Sequence, residues 1–201
     1  MLLVGLTGGI GAGKSTVARM LQARGAVVLE ADEFARRAVE PGTRGHRRVV
    51  ERFGEEVLDP EGRLDRERLA RLVFQDPAAR HDLEAIVHPE VGRMLREATD
   101  PYQGTDRVVV HVIPLLVEAG LAGAFDVVVT VEAAEDLRVA RLVGGRGMRE
   151  EDVRARARAQ ATEADRVRAA HLVIRNEGSL EDLEAEVDRV WRELVGRARP
   201  G

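Results

Sequence analysis

The chain has 201 residues, is 44% hydrophobic and has no cysteine, which suits one domain with insertions and excludes disulfides and thiolate zinc sites. Its net charge of −4 and isoelectric point near 5.8 give no overall attraction to nucleic acid. No apolar stretch approaches the roughly 18 to 20 residues of a membrane helix, and the start of the chain lacks the basic region of a signal peptide. We therefore expect a cytoplasmic protein that binds neither nucleic acid nor membrane; its oligomeric state is unknown from sequence.

Strands and helices are predicted to alternate along most of the chain, which is typical of an α/β fold with helices on both faces of a parallel sheet. The predicted strands are Met1 to Leu6, Ala26 to Glu30, Arg107 to Ile113, Asp126 to Val131 and His171 to Ile174. The predicted helices are Lys14 to Gln22, Thr43 to Phe53, Asp65 to Phe74, Pro77 to Glu97, Ala134 to Val143, Glu150 to Ala161 and Leu180 to about Arg197. Asp32 to about Thr99 contains no convincing strand, so we interpret this stretch as a helical insertion in a five-stranded sheet.

A phosphate-binding loop is predicted between the first strand and the first helix. Gly8 to Ser15 match the pattern G-x-x-x-x-G-K-[ST], and Lys14 is the only lysine among 31 basic residues. In such a loop backbone N–H groups surround phosphate oxygens, the lysine reaches the β- and γ-phosphates, and the serine hydroxyl binds Mg²⁺. The predicted nucleotide-binding residues of the loop are Gly9, Gly11, Ala12, Gly13, Lys14, Ser15 and Thr16. The alternative is a glycine-rich turn without a ligand.

The loop alone does not decide the class of nucleotide-using protein. A signalling GTPase needs a second lysine in Asn-Lys-x-Asp, which this chain lacks, and we interpret the match of Asp59 to Gly62 with Asp-x-x-Gly as chance. No acid that would serve a motor or transport ATPase is obvious, because the third strand ends in Ile113-Pro114 and the fourth in Val131-Glu132. A small-molecule kinase fits better, since it needs a core, a helical acceptor domain and an arginine-bearing lid.

Further blocks of the sequence resemble dephospho-CoA kinases over nearly the whole chain. In order, they are Gly5 to Ser15, Ala31-Asp32, Gly62 to Arg66, Leu69-Ala70, Val73-Phe74, Leu83 to Pro89, Pro114 to Glu118, the lid arginines, Ala159-Gln160 and Val173 to Gly178. The His-Pro and Pro-Leu-Leu-x-Glu blocks discriminate more strongly than the loop. Glu30 and His171 depart from the family pattern, which places an aspartate at each position, but neither change removes Asp32.

This resemblance implies that the γ-phosphoryl group of ATP is transferred to the ribose 3′-hydroxyl of dephospho-CoA, the small-molecule partner. The implied catalytic residues are Lys14, Asp32, Arg141 and Arg146, with Asp32 orienting or deprotonating the acceptor hydroxyl. Asn176 is expected beside the adenine, and Mg²⁺ is expected to arrive with ATP at Ser15, with no structural metal. The implied acceptor-binding residues are Thr7, Asp32, His88 and Pro114.

Each of these residues also has a structural interpretation. Asp32 could be a helix N-cap, His88 a core or capping residue, Thr7 the end of a strand, and Asn176 a turn residue. Arg141 and Arg146 are five residues apart and therefore not on one helical face, but the glycines after Leu142 are expected to let Arg146 move independently.

The predicted domain organisation has three parts. The core comprises residues 1–31, 105–143 and 170–201, the acceptor-binding insertion residues 32–104, and the lid residues 144–169. Two rival functions remain at this point: a nucleoside or nucleotide kinase with another acceptor, and a nucleotide-dependent switch protein.

Overall fold

The computed structural model describes residues 1–198, with the exception of the side chain of Arg146. Its sheet contains the strands β1 (Leu2–Gly8), β2 (Val27–Glu30), β3 (Val108–Val112), β4 (Val127–Glu132) and β5 (Leu172–Arg175). The order across the sheet is β2-β3-β1-β4-β5. β1 is parallel to both neighbours, and Val4 is in register with Val110 on one side and Val127 on the other. The prediction of a five-stranded parallel sheet is confirmed.

Helices surround this sheet and form the insertion after β2. They are α1 (Lys14–Ala23), α2 (Ala31–Ala38), α3 (Arg44–Phe53), α4 (Arg66–Gln75), α5 (Pro77–Thr99), α6 (Glu135–Arg146), α7 (Glu150–Arg158), α8 (Glu163–Ala169) and α9 (Leu180–Ala198). Short 3₁₀ turns occur at Glu55–Val57, Asp100–Tyr102 and Ala122–Ala124. None of the helices in the described part of the chain is long and apolar enough to cross a membrane.

The strands in the middle of the sheet are buried on both faces. Every residue of β3 and β4 is buried, as is most of β1. This explains their continuous valine and leucine runs, because a strand covered by helices on both sides has no polar face. Val17 and Leu21 of α1 and Val187 and Leu194 of α9 pack into the same apolar cluster.

The chain divides into two compact units. The first contains Met1–Leu29 and the described residues from Tyr102 onward, and the second contains Glu30–Pro101. The predicted core boundaries extend to residues 199–201, which lie outside the described residues.

The second unit is helical and has its own apolar cluster. Val49 and Phe53 of α3, Leu69 of α4 and Ile86 of α5 are buried together. Its helices α3, α4 and α5 begin with side-chain caps: Thr43 accepts from the N–H of His46, Asp65 from those of Glu67 and Arg68, and Asp76 from that of Ala78. These caps satisfy N–H groups that have no partner within the helix.

Two predicted helix boundaries after β4 are wrong. α6 does not end at Val143 but continues through Gly144 and Gly145, and Gly147 ends it with a φ of 63°. The second boundary is that of α7, which ends at Arg158 and not at Ala161. The sequence analysis missed α8, where the Thr162 hydroxyl accepts from the N–H of Asp165 and so begins a new helix. A seven-residue helix shows too little periodicity to be recognised from sequence.

Candidate nucleotide-binding site

Three glycines give the loop between β1 and α1 its shape. Gly8, Gly11 and Gly13 have φ values of 151°, 77° and 99°, a region that other residues rarely adopt. A Cβ on Gly13 would lie 2.2 Å from Nδ2 of Asn176, and one on Gly8 would lie 2.3 Å from the carbonyl oxygen of Val131. The glycines are therefore required both by the backbone conformation and by the close approach of neighbouring atoms.

The loop ends at the N-terminus of α1 and presents backbone donors there. The N–H groups of Gly11, Gly13 and Ser15 donate to no acceptor among the residues described. Gly13 is the N-cap of α1, has no side chain to satisfy these groups, and accepts the N–H of Thr16 with its carbonyl. Such an arrangement, with the positive end of the helix dipole, binds phosphate oxygens.

Two side chains at the start of α1 fit a nucleotide accompanied by a metal ion. Lys14 is half-buried beside the loop, and Ser15 is exposed at the second position of the helix. A serine hydroxyl is the kind of hard oxygen ligand that Mg²⁺ takes together with phosphate oxygens. The loop geometry and these residue types thus match a phosphate-binding site.

Asn176 connects the loop to the rest of the first unit. It is 7% exposed, its Nδ2 donates to the carbonyl of Ala12 at 2.8 Å, and its backbone N–H donates to Glu132 at 2.8 Å. Arg141 donates to the backbone oxygen of Asn176 at 3.0 Å and to its Oδ1 at 3.3 Å. Both ends of the amide are engaged, so Asn176 fixes the loop against β5 and α6. The predicted position beside the adenine remains a prediction.

A buried ion pair lies behind the loop. Arg166 of α8 donates from Nε to Oε1 of Glu132 at 2.6 Å and from Nη2 to Oε2 at 2.6 Å, and the two side chains are 3% and 0% exposed. Thr130 donates to Oε1 of Glu132 at 2.6 Å. Burial acts to lower the pKa of Arg166, but hydrogen bonding to and the charge of Glu132 outweigh it and raise that pKa. Both oxygens of the Glu132 carboxylate are therefore engaged by the guanidinium group of Arg166.

Two guanidinium groups face Gly9. A Cβ on Gly9 would lie 2.7 Å from Nη1 of Arg138 and 3.0 Å from Nη2 of Arg166. Arg138 is 9% exposed and donates to the carbonyl of Ala133 at 3.0 Å and to that of Ile10 at 3.4 Å. The sequence analysis missed both arginines, because nothing local distinguishes them from the other arginines of the helices.

Gln160, between α7 and α8, also holds the loop. Its Oε1 accepts the backbone N–H of Ile10 at 2.8 Å, and the next N–H, that of Ala161, donates to Oε1 of Glu118 at 2.8 Å. Arg166 donates to the carbonyl of Ala161 at 2.5 Å. The sequence analysis identified Gln160 and Glu118 only as parts of family-like blocks and gave them no role.

The predicted lid arginines differ from expectation. Arg141 lies within α6, is half-buried and contacts Asn176. The side chain of Arg146 lies outside the described residues. The predicted glycine hinge between them is wrong as a break in the helix, because α6 continues to Arg146. A glycine lowers helix stability by only about 1 kcal/mol, and the preceding residues Val139 and Leu142 are buried against Val153.

Thr7 and Pro114 lie together at the end of β1. Thr7 is fully buried, and its hydroxyl donates to the carbonyl of Pro114 at 3.3 Å. These contacts support the structural interpretation of Thr7, in which it closes the strand.

Asp32 and His88 belong to the second unit. Asp32 is exposed at the second position of α2, and its carboxylate forms no hydrogen bond or ion pair with any described residue. The N-cap of α2 is Glu30, so the interpretation of Asp32 as the N-cap is wrong. His88 is exposed in the middle of α5, which continues through Pro89, so its interpretation as a core or capping residue is wrong as well.

Comparisons with known proteins identify the family of the chain. The sequence profile of the dephospho-CoA kinase family matches residues 2–182. A dephospho-CoA kinase of Streptomyces avermitilis is 52% identical over 202 residues, which cover 100% of this chain and 98% of that protein. A crystal structure from Thermus thermophilus is 42% identical, has a TM-score of 0.82 and matches 96% of this chain and 97% of its own.

A dephospho-CoA kinase structure from Campylobacter jejuni has a TM-score of 0.75 at 22% identity, covering 98% of each chain. This likeness supports the fold. The family profile and the full-length relatives decide between the classes left open by the loop, and they exclude the switch protein. The chain belongs to the dephospho-CoA kinase family.

Proposed function

We propose that this chain transfers the γ-phosphoryl group of ATP to the ribose 3′-hydroxyl of dephospho-CoA, giving coenzyme A and ADP. The observation that carries the proposal is the phosphate-binding loop in a chain that matches this family over its full length. A kinase that uses ATP needs the compartment that holds ATP, so a cytoplasmic location is part of the proposal.

We assign donor binding to the loop and the start of α1. The N–H groups of Gly11, Gly13 and Ser15 would bind the β-phosphate, and Lys14 would reach the β- and γ-phosphates. Ser15 would hold Mg²⁺, which neutralises charge on the phosphate oxygens. The transition state of phosphoryl transfer is loose, so fixed positive charge and alignment supply most of the acceleration.

Arg141 and Arg146 are proposed to neutralise the transferred group. Arg141 is already held by Asn176, whose side chain also contacts the loop at Ala12. Through Asn176 the guanidinium group of Arg141 is held near the phosphate-binding loop, which supports a role for Arg141 in nucleotide binding. We propose that Arg146, at the end of α6, meets the phosphates when the lid, residues 144–169, closes.

Asp32 is proposed to act on the acceptor. Its exposed carboxylate, with no partner among the described residues, is able to accept the proton of the 3′-hydroxyl. The hydroxyl oxygen then forms the new bond to the γ-phosphorus as the bond to the β-phosphate oxygen breaks, and ADP leaves. Thr7, Pro114 and His88 keep their proposed places in acceptor binding, with Thr7 acting through its hydrogen bond to Pro114.

The test is a product assay. The enzyme is mixed with Mg²⁺, ATP and dephospho-CoA, and the product is identified by mass and by the position of the new phosphate. We expect 3′-phosphorylated product and one ADP per turnover, with less product when the metal is chelated. Phosphorylation of other nucleosides or nucleotides in preference to dephospho-CoA would instead support the rival kinase.

A further inference from the structure

A tight turn forms the first half of the phosphate-binding loop. The N–H of Ala12 donates to the carbonyl of Gly9 at 3.0 Å, so Ile10 and Gly11 are the central residues of a four-residue turn. Gly11 has a φ of 77°, and no described residue other than glycine, Ile10 included, has a positive φ. These values define a type II turn, in which only the second central residue has a φ of about +80°.

The type of turn decides where the N–H of Gly11 points. Types I and II differ by about 150° in ψ of the first central residue and by about 170° in φ of the second. This rotation turns over the peptide unit between Ile10 and Gly11. Because the peptide bond is trans, the carbonyl of Ile10 and the N–H of Gly11 point in opposite directions. A change to type I would therefore exchange the sides on which these two groups lie.

Two side chains hold the peptide units of this turn. Oε1 of Gln160 accepts the N–H of Ile10 at 2.8 Å, which fixes the peptide unit between Gly9 and Ile10. Nη1 of Arg138 lies 3.4 Å from the carbonyl oxygen of Ile10 and so attracts the next peptide unit by its oxygen. The N–H of Gly11 is thereby directed away from Arg138, and it donates to no residue in the described part of the chain.

Arg138 has a charge that no neighbouring carboxylate neutralises. It is 9% exposed, it donates to the carbonyl groups of Ala133 and Ile10, and it forms no ion pair with any described residue. Both oxygens of Glu132 are already engaged by Arg166. A buried charge without a counter-charge is unfavourable for stability. The contact of Arg138 with the loop therefore explains its position better than a contribution to stability does.

We propose that Arg138 is a positioning residue, whose guanidinium group holds the carbonyl of Ile10 so that the N–H of Gly11 is presented to the β-phosphate of the nucleotide. This inference rests on the proposed function and adds a residue to its donor site. The charge of Arg138 acts in the same direction as its geometry. A cation at the carbonyl polarises the peptide unit, and this makes the N–H at the other end a stronger donor.

The first experiment observes the N–H of Gly11 directly by NMR. Gly11 is the only glycine of the chain that follows an isoleucine, so ¹⁵N-labelled glycine combined with isoleucine labelled with ¹³C at its carbonyl selects this one amide. Titration of the full-length protein with MgADP should shift its proton downfield, because a hydrogen bond to an anionic oxygen is short and strong. In Arg138→Met we expect a smaller shift at saturating MgADP. An equal shift would overturn the proposal.

The second experiment is steady-state kinetics with both substrates. Arg138→Met should raise KM for ATP about tenfold, because a hydrogen bond to a charged group is weakened. KM for dephospho-CoA should stay within about twofold. Arg138→Lys keeps the positive charge and should recover most of the affinity for ATP. An unaltered KM for ATP in Arg138→Met, an equal rise for both substrates, or no recovery in Arg138→Lys would contradict the assignment.

Arg24→Met is the matched control. Arg24 is also half-buried and donates to a backbone carbonyl, that of Met20 at 2.9 Å, but it lies at the C-terminal end of α1. This variant should leave KM for ATP and the Gly11 signal unchanged. A fall in Tm of Arg138→Met without any change in KM for ATP or in the Gly11 shift would show a purely structural role and overturn the proposal.

The titration with MgADP needs no acceptor. Failure of the unaltered enzyme to phosphorylate dephospho-CoA would overturn the proposed function, whereas the Gly11 shift tests Arg138 independently of that reaction. The two failures are therefore distinguishable.

Discussion

Replacing Glu132 with glutamine keeps the shape of the side chain and removes the charge that faces Arg166. In the unaltered protein both carboxylate oxygens accept from the guanidinium group at 2.6 Å, and neither residue is more than 3% exposed. The variant leaves a guanidinium group buried without its counter-charge. Water cannot replace the lost partner unless the surrounding structure opens.

The expected cost follows from this burial. Removal of one partner from a buried ion pair costs about 3 to 5 kcal/mol of the free energy of unfolding. For a chain of 150 to 250 residues each kcal/mol lowers Tm by about 2 to 4 °C, so Glu132→Gln should lower Tm by about 6 to 20 °C. Because Arg166 lies against Gly9, KM for ATP should rise as well.

Urea unfolding and thermal unfolding are followed by circular dichroism, and KM for ATP is measured at a temperature where the variant is folded.

Glu97→Gln is the matched control, since Glu97 pairs with Arg93 at 2.7 Å on the surface of α5. An exposed pair of this kind is worth about 0 to 1 kcal/mol, so this variant should lose no more than that in the free energy of unfolding.

A second variant, Glu132→Leu with Arg166→Met, removes both charges and should be less destabilised than Glu132→Gln. A loss below about 1 kcal/mol in Glu132→Gln, or an equal loss in the double variant, would refute the reasoning.

Three further perturbations test other parts of the molecule. Gly13→Ala should abolish measurable ATP binding in a calorimetric titration, because the new Cβ would lie 2.2 Å from Nδ2 of Asn176 and φ is 99°; retained affinity would contradict the loop geometry. Asp32→Asn should lower kcat on the order of 100-fold with KM for ATP nearly unchanged, and a change below about threefold in steady-state assays would exclude a proton-accepting role. Burial lowers the pKa of His111 from 6.5 to about 4, so the unfolded chain binds a proton between these pH values and the folded chain does not. As the pH falls from 6.5 to 4, this residue should reduce the free energy of unfolding by about 3 kcal/mol, and His111→Gln should lose correspondingly less in urea unfolding at pH 7 and pH 4.5.

The phosphate-binding loop could be predicted from sequence because its determinants are local. The glycines, Lys14 and Ser15 occupy fixed positions in one short segment, and the strand and helix that flank it are strongly patterned. The five strands could be found for the same reason, since buried parallel strands are short continuous apolar runs. The sheet order could not be read from these runs, because each of them is equally able to pair with the others.

The residues behind the loop could not be predicted, because their partners are far away in the chain. Gln160 and Ile10 are 150 residues apart, and Arg138 and Ile10 are 128 apart. The sequence shows an arginine in a helix whether that arginine lies on the surface or against Gly9. The glycines after Leu142 predicted a break in α6, but the helix continues through them, because a glycine within a helix costs only about 1 kcal/mol.

The chemical difference between arginine and lysine explains why the phosphate-binding loop has a lysine although all other basic residues of the chain are arginines. A guanidinium group is planar and donates in a fixed fork, which matches the two oxygens of Glu132 and the backbone carbonyls that Arg138, Arg141 and Arg166 contact. These arginines contact the loop and the residues around it, and their acceptors are backbone carbonyls and a buried carboxylate in fixed positions. Inside the loop the acceptors are phosphate oxygens whose charge shifts during the reaction, and a compact ammonium on a flexible stem can follow them. Lys14→Arg should therefore damage catalysis although it keeps the charge, and an enzyme with unaltered kcat and KM for ATP after that substitution would show that charge alone is what position 14 requires.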